Sequence, residues 1–332
     1  MAPGGTRRAG LSPASLDPAS DPGLPSDPSA PCPYPSLKES TVRVDLWVPT
    51  ASPISTPELL AVIGREAEER GVGTIWVGEH VVLFEEYASS YPYAEDGRIP
   101  APSGTGLLEP LNTLSYLAAH TTTTRLGTAM LLLPQRNPVY TAKEVSTLDW
   151  LSNGRVDFGV GVGWLEEEFN AVNVPWPQRG RRTDEYLEVL RTLWCDETSA
   201  YEGEFYSLDP CQMFPKPVQT PHPPIHIGGE SDAALRRMAR AGQGWHTFNR
   251  TPEQLAEPLT TLEGLLADEG RSRSDVTITV CPYFQPLDAD IAGRYAEAGV
   301  DAVAALLLPF SEDDVNKALD DLQPVFDRAA AS

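Results

Sequence analysis

A (β/α)8 barrel of the TIM type, carrying insertions and preceded by a proline-rich tail, is the fold this sequence predicts. Three observations predict it. Apolar strand-like runs alternate strictly with amphipathic helix-like runs about eight times after residue 41, and alternation favours a parallel sheet covered by helices. Eight units in roughly 290 residues fit a closed barrel better than an open doubly wound sheet. Two glycine-rich segments, Gly154–Phe169 and Pro223–Ser231, each run from a strand through a turn into a helix, which places them where a barrel keeps its chemistry.

Residues 1–40 contain Pro22, Pro25, Pro28, Pro31, Pro33 and Pro35, which exclude helix and disfavour strand. Without a periodic apolar face this segment reads as a disordered tail, leaving one barrel domain over residues 41–332. Val42–Val48 is the first strand. Thr56–Arg70 is a helix with Thr56 as N-cap, Pro57 at its first position and Gly71 ending it. Thr74–Gly78 is strand, followed by Glu79-His80. Residues from about 83 to 108, rich in Tyr, Pro, Gly and Ser, read as an insertion or lid loop. Helix is expected over Glu109–Thr122, Pro138–Leu151, Arg182–Trp194, Ser231–Ala241, Pro252–Glu269, Ala289–Ala298 and Ser311–Arg328. Strand is expected over Arg125–Leu133, Arg155–Val162, Ile225–Ile227, Gly244–Phe248, Val276–Phe284 and Asp301–Leu308, with a β-hairpin excursion at about 197–218.

The 332 residues include 47 acidic and 25 basic ones, a net charge of −22. Such a chain lacks the Lys and Arg clusters that bind nucleic acid or acidic membranes, so neither is an expected partner. A solvated acidic surface is the plain reading; adaptation to high salt is the alternative. Cys32, Cys195, Cys211 and Cys281 form no C-x-x-C pair and fit no zinc spacing, so no metal site is expected and the setting is read as reducing and cytoplasmic. No apolar run is long enough to span a membrane, and Arg7-Arg8 precede no apolar stretch of the signal-peptide kind.

Gly159, Gly161 and Gly163 give G-x-G-x-G at a strand end, which misses the dinucleotide-binding spacing; tight strand-to-loop packing and close approach of a cofactor are the two readings. Trp164 follows with a flat apolar surface that favours the cofactor. Gly228-Gly229 precede Glu230-Ser231-Asp232, either an ordinary capped turn or a helix N-terminus aimed at an anion. Glu230 suits the second only if its side chain faces solvent. His80, at a strand end, is a candidate acid/base or ring-contacting group. His222 and His226 have a metal-like spacing, but Pro223-Pro224 exclude the helix it requires, and His226 is expected to pack in a strand. Arg179-Gly-Arg-Arg182 either steers an anionic cofactor or pairs with carboxylates such as Glu166–Glu168, Asp184 and Glu185.

Several segments together resemble the luciferase-like flavin and deazaflavin oxidoreductase superfamily. They are Gly154–Phe169, Arg179-Gly-Arg-Arg-Thr-Asp-Glu-Tyr-Leu with Leu-Arg-Thr-Leu-Trp194, Pro215–Gln219, Ile227-Gly-Gly229, Gly242-Gln-Gly-Trp245 and Trp76-Val-Gly-Glu-His80. The resemblance runs from Val42 to the C-terminus and is greatest to members assigned to coenzyme F420. It implies a barrel holding F420, or alternatively FMN, at its C-terminal mouth, with His80 as catalytic residue near the ring. It implies a bulge with a non-prolyl cis peptide at Ala129 and Met130, matched on Gly127-Thr-Ala-Met-Leu. It also implies that Gly161, Gly163 and Trp164 lie along the cofactor and that Gly228, Gly229 and Ser231 hold its phosphate. One departure is plain: a sugar-phosphate dehydrogenase subgroup has a Glu where this chain has Trp164.

The reading these observations give is an F420-dependent oxidoreductase that moves a hydride between the deazaflavin and a small organic substrate. The alternatives are an FMN-dependent monooxygenase using oxygen, with a reductase supplying reduced flavin, and a non-catalytic flavin-binding barrel. A homodimer is expected from the resemblance alone.

Overall fold

The computed structural model describes residues 42–330. The segment read as a tail, with Cys32, lies outside the described residues. Eight parallel strands close into a barrel: β1 (Arg43–Val48), β2 (Thr74–Val77), β3 (Arg125–Thr128), β4 (Val156–Gly161), β5 (Ile225–Gly228), β6 (Gly244–Phe248), β7 (Thr277–Cys281) and β8 (Ala302–Leu306). Each pairs in parallel with the next, and β8 pairs back with β1, Arg43 opposite Ala302 through Trp47 opposite Leu306. The strands are buried on both faces, which is why they read as nearly unbroken apolar runs instead of alternating ones.

Eight helices form the outer ring: α1 (Pro57–Glu69), α2 (Pro110–Ala118), α3 (Pro138–Leu151), α4 (Arg179–Cys195), α5 (Asp232–Ala241), α6 (Pro252–Asp268), α7 (Ala289–Glu297) and α8 (Glu312–Asp321). Their starts follow the local chemistry. Thr56 Oγ1 accepts from Leu59 N at 3.2 Å with Pro57 beginning α1, and Ser231 Oγ accepts from Ala234 N at 3.2 Å at α5. Four of the eight, α1, α2, α3 and α6, begin on proline, where the missing N–H removes a donor that no helix could satisfy.

Two ion pairs close the floor of the barrel, at the strand starts. Arg43 pairs with Asp45 at 2.7 Å and Arg125 with Asp157 at 2.7 Å, both carboxylates being fully buried. Asp45 also accepts from Thr74 N and Trp76 Nε1, each at 3.0 Å, so β1 and β2 are held in register by side chains as well as by the ladder. Burial alone would raise the Asp157 pKa; Arg125 and His226 outweigh it and hold the group below the usual carboxylate range. Above this floor Trp76 packs edge-on to His226 and His246, with ring centroids 5.0 and 4.8 Å apart. His226 is therefore the packed strand residue expected of it, and His222 lies against a different ring, Trp194.

Several expected elements differ; the helix expected over Glu109–Thr122 ends at Ala118 and the strand expected over Val276–Phe284 at Cys281. The strand expected over Arg125–Leu133 stops at Thr128; the cis peptide that the resemblance implied joins Ala129 to Met130, Leu131–Leu132 resumes pairing with β4, and a 3-10 turn follows at Leu133–Gln135. The helix expected over Ser311–Arg328 is two, α8 and a second at Gln323–Ala330, because Pro324 offers no N–H to continue the first. The helix expected from Arg182 begins at Arg179. The hairpin excursion is present, Ser199–Glu202 pairing antiparallel with Ser207–Cys211, and the insertion over 83–108 contributes only Gly106–Leu107, paired with Ala51–Ser52.

Candidate active site at the barrel mouth

The ends of β2 and β3 are tied to each other by buried polar groups. Glu79, next after Gly78, takes a hydrogen bond from Leu132 N and is paired with Arg136, whose Nε lies 2.8 Å away. Burial pushes the Glu79 carboxyl up, against the pull of that guanidinium. Ala129 N donates to Val77 O at 2.7 Å, and Ala129 O accepts from the Trp47 indole at 3.1 Å, so the cis bulge is held from both sides.

Met130 fills the space this bulge creates. A Cβ at Gly159 would stand 1.8 Å from Thr128 O and 2.5 Å from Met130 Cε; at Gly161, 2.9 Å from Met130 Cβ; at Gly228, 2.4 Å from Met130 Sδ. These three glycines thus have a packing reason that involves no ligand, and the first and second belong to the G-x-G-x-G run. Gly163 is different: its φ is +79°, a backbone conformation that favours glycine.

His80 stands 10% exposed at the end of β2, its ring edge-on to Trp164 with centroids 5.6 Å apart. Its Nδ1 lies 3.2 Å from Oε2 of Glu168, a fully buried carboxylate in the short helix Glu166–Ala171. Glu168 also accepts from Val81 N at 2.6 Å, Val82 N at 3.3 Å and Gln135 Nε2 at 3.1 Å. In the sequence Glu168 reads only with Glu166 and Glu167, as a carboxylate for the arginine cluster. Only Phe169 beside it, equally buried, hints that this turn of the acidic run faces inward.

In the arginine cluster one member pairs with a carboxylate, though not one of those expected. Arg179 stacks its guanidinium over Trp176, 3.5 Å from the ring centre, and donates to Gly163 O at 3.2 Å. Arg181 pairs with Glu204, and Arg182 donates to Pro175 O at 2.8 Å. Asp184, expected to serve this cluster, pairs with Arg237 and Arg240.

At the end of β5, Gly229 has φ +102°, and a Cβ there would meet only Ala234 Cβ, at 3.4 Å. Ser231 caps α5, whose first amides have no carbonyl within the helix to bond. Glu230 does not face solvent. It accepts from Thr247 Oγ1 at 3.1 Å, Phe248 N at 2.9 Å and Tyr93 OH at 3.2 Å, and burial pushes its carboxyl up.

The insertion wraps this mouth with rings. Tyr87 and Tyr91 meet Trp164 at 5.7 and 5.2 Å, Tyr91 meets Tyr93 at 5.5 Å, and Tyr93 meets Phe248 at 4.7 Å. Phe248 continues to Trp47 at 5.4 Å and Tyr283 at 4.6 Å. Glu167 holds the loop from the β4 side, accepting from Ala88 N at 2.6 Å and Ser89 Oγ at 2.7 Å. Beside Tyr87 the loop encloses a crevice of about 550 Å³, lined by Leu83, Phe84, Ile99 and Pro102 with Glu86 and Arg98. Of the residues expected at the site, His80 meets Trp164 directly, and Met130 gathers Gly161 and Gly228. Gly229 and Ser231 form the separate turn at α5. Trp47, Phe248 and Tyr283 join the site from strand ends with no motif to mark them, and Glu168 joins it from the end of the Gly154–Phe169 segment.

An imidazole backed by a carboxylate, an apolar aromatic wall, and an open helix start can together hold a flat heterocycle with an anionic tail and manage one proton beside it. Comparisons with known proteins agree in kind. The luciferase-like monooxygenase family matches residues 42–322. An uncharacterized protein of Mycobacterium tuberculosis is 34% identical, over 76% of this chain and 89% of its own length. An F420-dependent glucose-6-phosphate dehydrogenase of Kineococcus radiotolerans is 29% identical over 68% of this chain and 63% of its own, and an FMNH(2)-dependent dimethylsulfone monooxygenase of Pseudomonas putida is 35% identical over 41% of this chain and 38% of its own. The structure of an F420-dependent secondary alcohol dehydrogenase superposes with a TM-score of 0.69 at 16% identity, covering 87% of this chain and 99% of that one.

Proposed function

Because this chain belongs to the luciferase-like monooxygenase family, we propose that it is a coenzyme F420-dependent oxidoreductase acting on a small organic substrate. The observation that carries the reading is the contact of His80 with Trp164, ring centroids 5.6 Å apart, beside the buried carboxylate of Glu168. The residues present fit the cofactor. Met130, Gly161, Gly163, Trp164 and His80 would border its ring. The turn at Gly229 and the start of α5 at Ser231 would take its phosphate; Glu230 does not face solvent as the sequence criterion asked, but its carboxyl is bonded to Thr247, Phe248 N and Tyr93, and burial pushes its pKa up, toward the uncharged form. Bound there, the deazaflavin supplies a carbon that accepts or gives a hydride.

The protein's own part is then threefold. The rings of Tyr87, Tyr91, Tyr93 and Trp164 exclude water from the mouth. The bulge, pinned by Trp47 and Val77, would border the ring. His80 takes up or returns the proton that accompanies hydride movement. An FMN-dependent monooxygenase, served by a reductase, is the second reading and rests on the Pseudomonas relative. The cytoplasmic setting and the homodimer belong to this proposal, and sedimentation at twice 36.1 kDa tests the latter.

His80→Ala is the test. The variant is expected to bind F420 nearly as wild type does, since the phosphate turn and the rings are intact, and to transfer hydride about 10²–10⁴-fold more slowly. Rapid mixing of F420-loaded enzyme with a substrate found by screening measures this. Hydride transfer at the wild-type rate would remove His80 from the chemistry.

A further inference from the structure

We propose that Glu168 is a positioning residue for His80: it keeps the proton on Nδ1 and so turns a bare Nε2 toward the mouth. The inference rests on the reading of His80 given above, and four observations carry it. Glu168 is fully buried, and a buried carboxylate is retained only where its oxygens are satisfied. Its partners from the main chain and from Gln135 are all donors: Val81 N and Val82 N on Oε1, Gln135 Nε2 on Oε2. His80 Nδ1 reaches the same Oε2 at 3.2 Å, and a carboxylate accepts, so the nitrogen facing it is the one that carries hydrogen. Finally, Val81 and Val82 are the first residues after His80 and lead into the insertion. The same carboxylate therefore fixes the ring's rotation and the place where the aromatic wall begins.

A ring held this way offers Nε2 as an acceptor when neutral and as a donor when protonated, without rotating between the two. Glu168 touches neither substrate nor cofactor in this account; it acts through His80.

The experiment uses ¹⁵N-labelled full-length protein without cofactor. Long-range ¹H–¹⁵N spectra of the imidazoles, recorded at about pH 8 where a solvent-like histidine is neutral, report which nitrogen bears the proton. The chain has five histidines, and His80→Ala identifies the His80 signals. Wild type is expected to show a protonated Nδ1 and a bare Nε2. In Glu168→Gln the side-chain oxygen keeps Val81 and Val82, the amide turns its hydrogens to Nδ1, and the pattern inverts. That variant is also expected to lose about 10²-fold or more in hydride transfer while F420 affinity stays within about threefold, as for a wrong-tautomer histidine. A bare Nδ1 in wild type overturns the proposal, and so does an unchanged spectrum in Glu168→Gln. The wild-type spectrum decides even if the variant does not fold. Failure to bind F420 would sink the functional reading and leave this spectrum as it is; a bare Nδ1 in an F420-active enzyme would sink only the role of Glu168.

Discussion

At Gly228 an added Cβ would press on Met130 Sδ and Cγ, 2.4 and 2.5 Å away, while at Gly161 it would press on Met130 Cβ at 2.9 Å. A side chain at either position requires Met130 to move, whether or not a ligand ever approaches. The sequence reading weighed packing against cofactor approach for the G-x-G-x-G run and leaned to the cofactor. Met130 lies some thirty residues before one loop and about a hundred before the other, and only the folded barrel shows that it touches both. Gly228→Ala is expected to cost roughly 1–3 kcal/mol in denaturant unfolding, as overpacking does. Combined with Met130→Ala, its effect should fall short of the sum of the single changes by about 0.5 kcal/mol or more. Strictly additive effects would show that Met130 is not what Gly228 makes room for. His80 was legible because a strand-end histidine stands out, whereas Glu168 was hidden inside a run of three glutamates whose burial depends on how a six-residue helix docks.

Elements were legible where local chemistry decides them. Thr56 with Pro57, Ser231 and Gly71 act within one turn of chain, and the structure uses them as read. The break after Thr128 was legible from the family resemblance alone and not from local pattern, since Leu126–Leu133 holds no charged or proline residue to end a strand and the bulge is held by Trp47 and Val77 of other strands. The buried histidines of β5 and β6 likewise belong to neighbours distant in sequence. Burial, and secondarily His226, lowers the His246 pKa to about 3, and burial lowers that of His222 to about 4. His246 and His222 are therefore neutral in the folded protein at pH values where an unfolded histidine, with its pKa near 6.5, is charged. The unfolded state then binds more protons, and stability falls as pH drops from about 6.5 toward 4, by up to about 1.4 kcal/mol per pH unit for each histidine. Asp157 acts in the same direction but only below about pH 4, where its unfolded form begins to protonate. Melting temperatures measured between about pH 7 and pH 5 should fall in wild type and fall less in His246→Phe, which keeps a ring against Trp76. Parallel curves would mean that His246 is protonated inside the barrel.

For the whole molecule, alternation and unit count were enough to give the barrel, because a closed parallel sheet needs nothing beyond strand, helix and sequence order. The closure of the mouth was not available that way: Trp47, Tyr93, Phe248 and Tyr283 meet only after the sheet has closed. Residues 1–40 are proposed to contribute nothing to this body, on their proline content and on a family match that begins at residue 42. A chain starting at residue 41 should melt within a few degrees of the full chain and bind cofactor equally, as calorimetry and titration will show; a loss of many degrees would mean the segment docks.

The central claim, a deazaflavin held at this mouth beside His80 and Trp164, is tested most directly by titrating the purified full chain with F420 and with FMN and following tryptophan fluorescence. The account predicts saturable binding of F420 at least about tenfold tighter than FMN, a difference of about 1.4 kcal/mol. It also predicts a fluorescence change that is reduced in Trp164→Phe. Tighter binding of FMN than of F420 would contradict it.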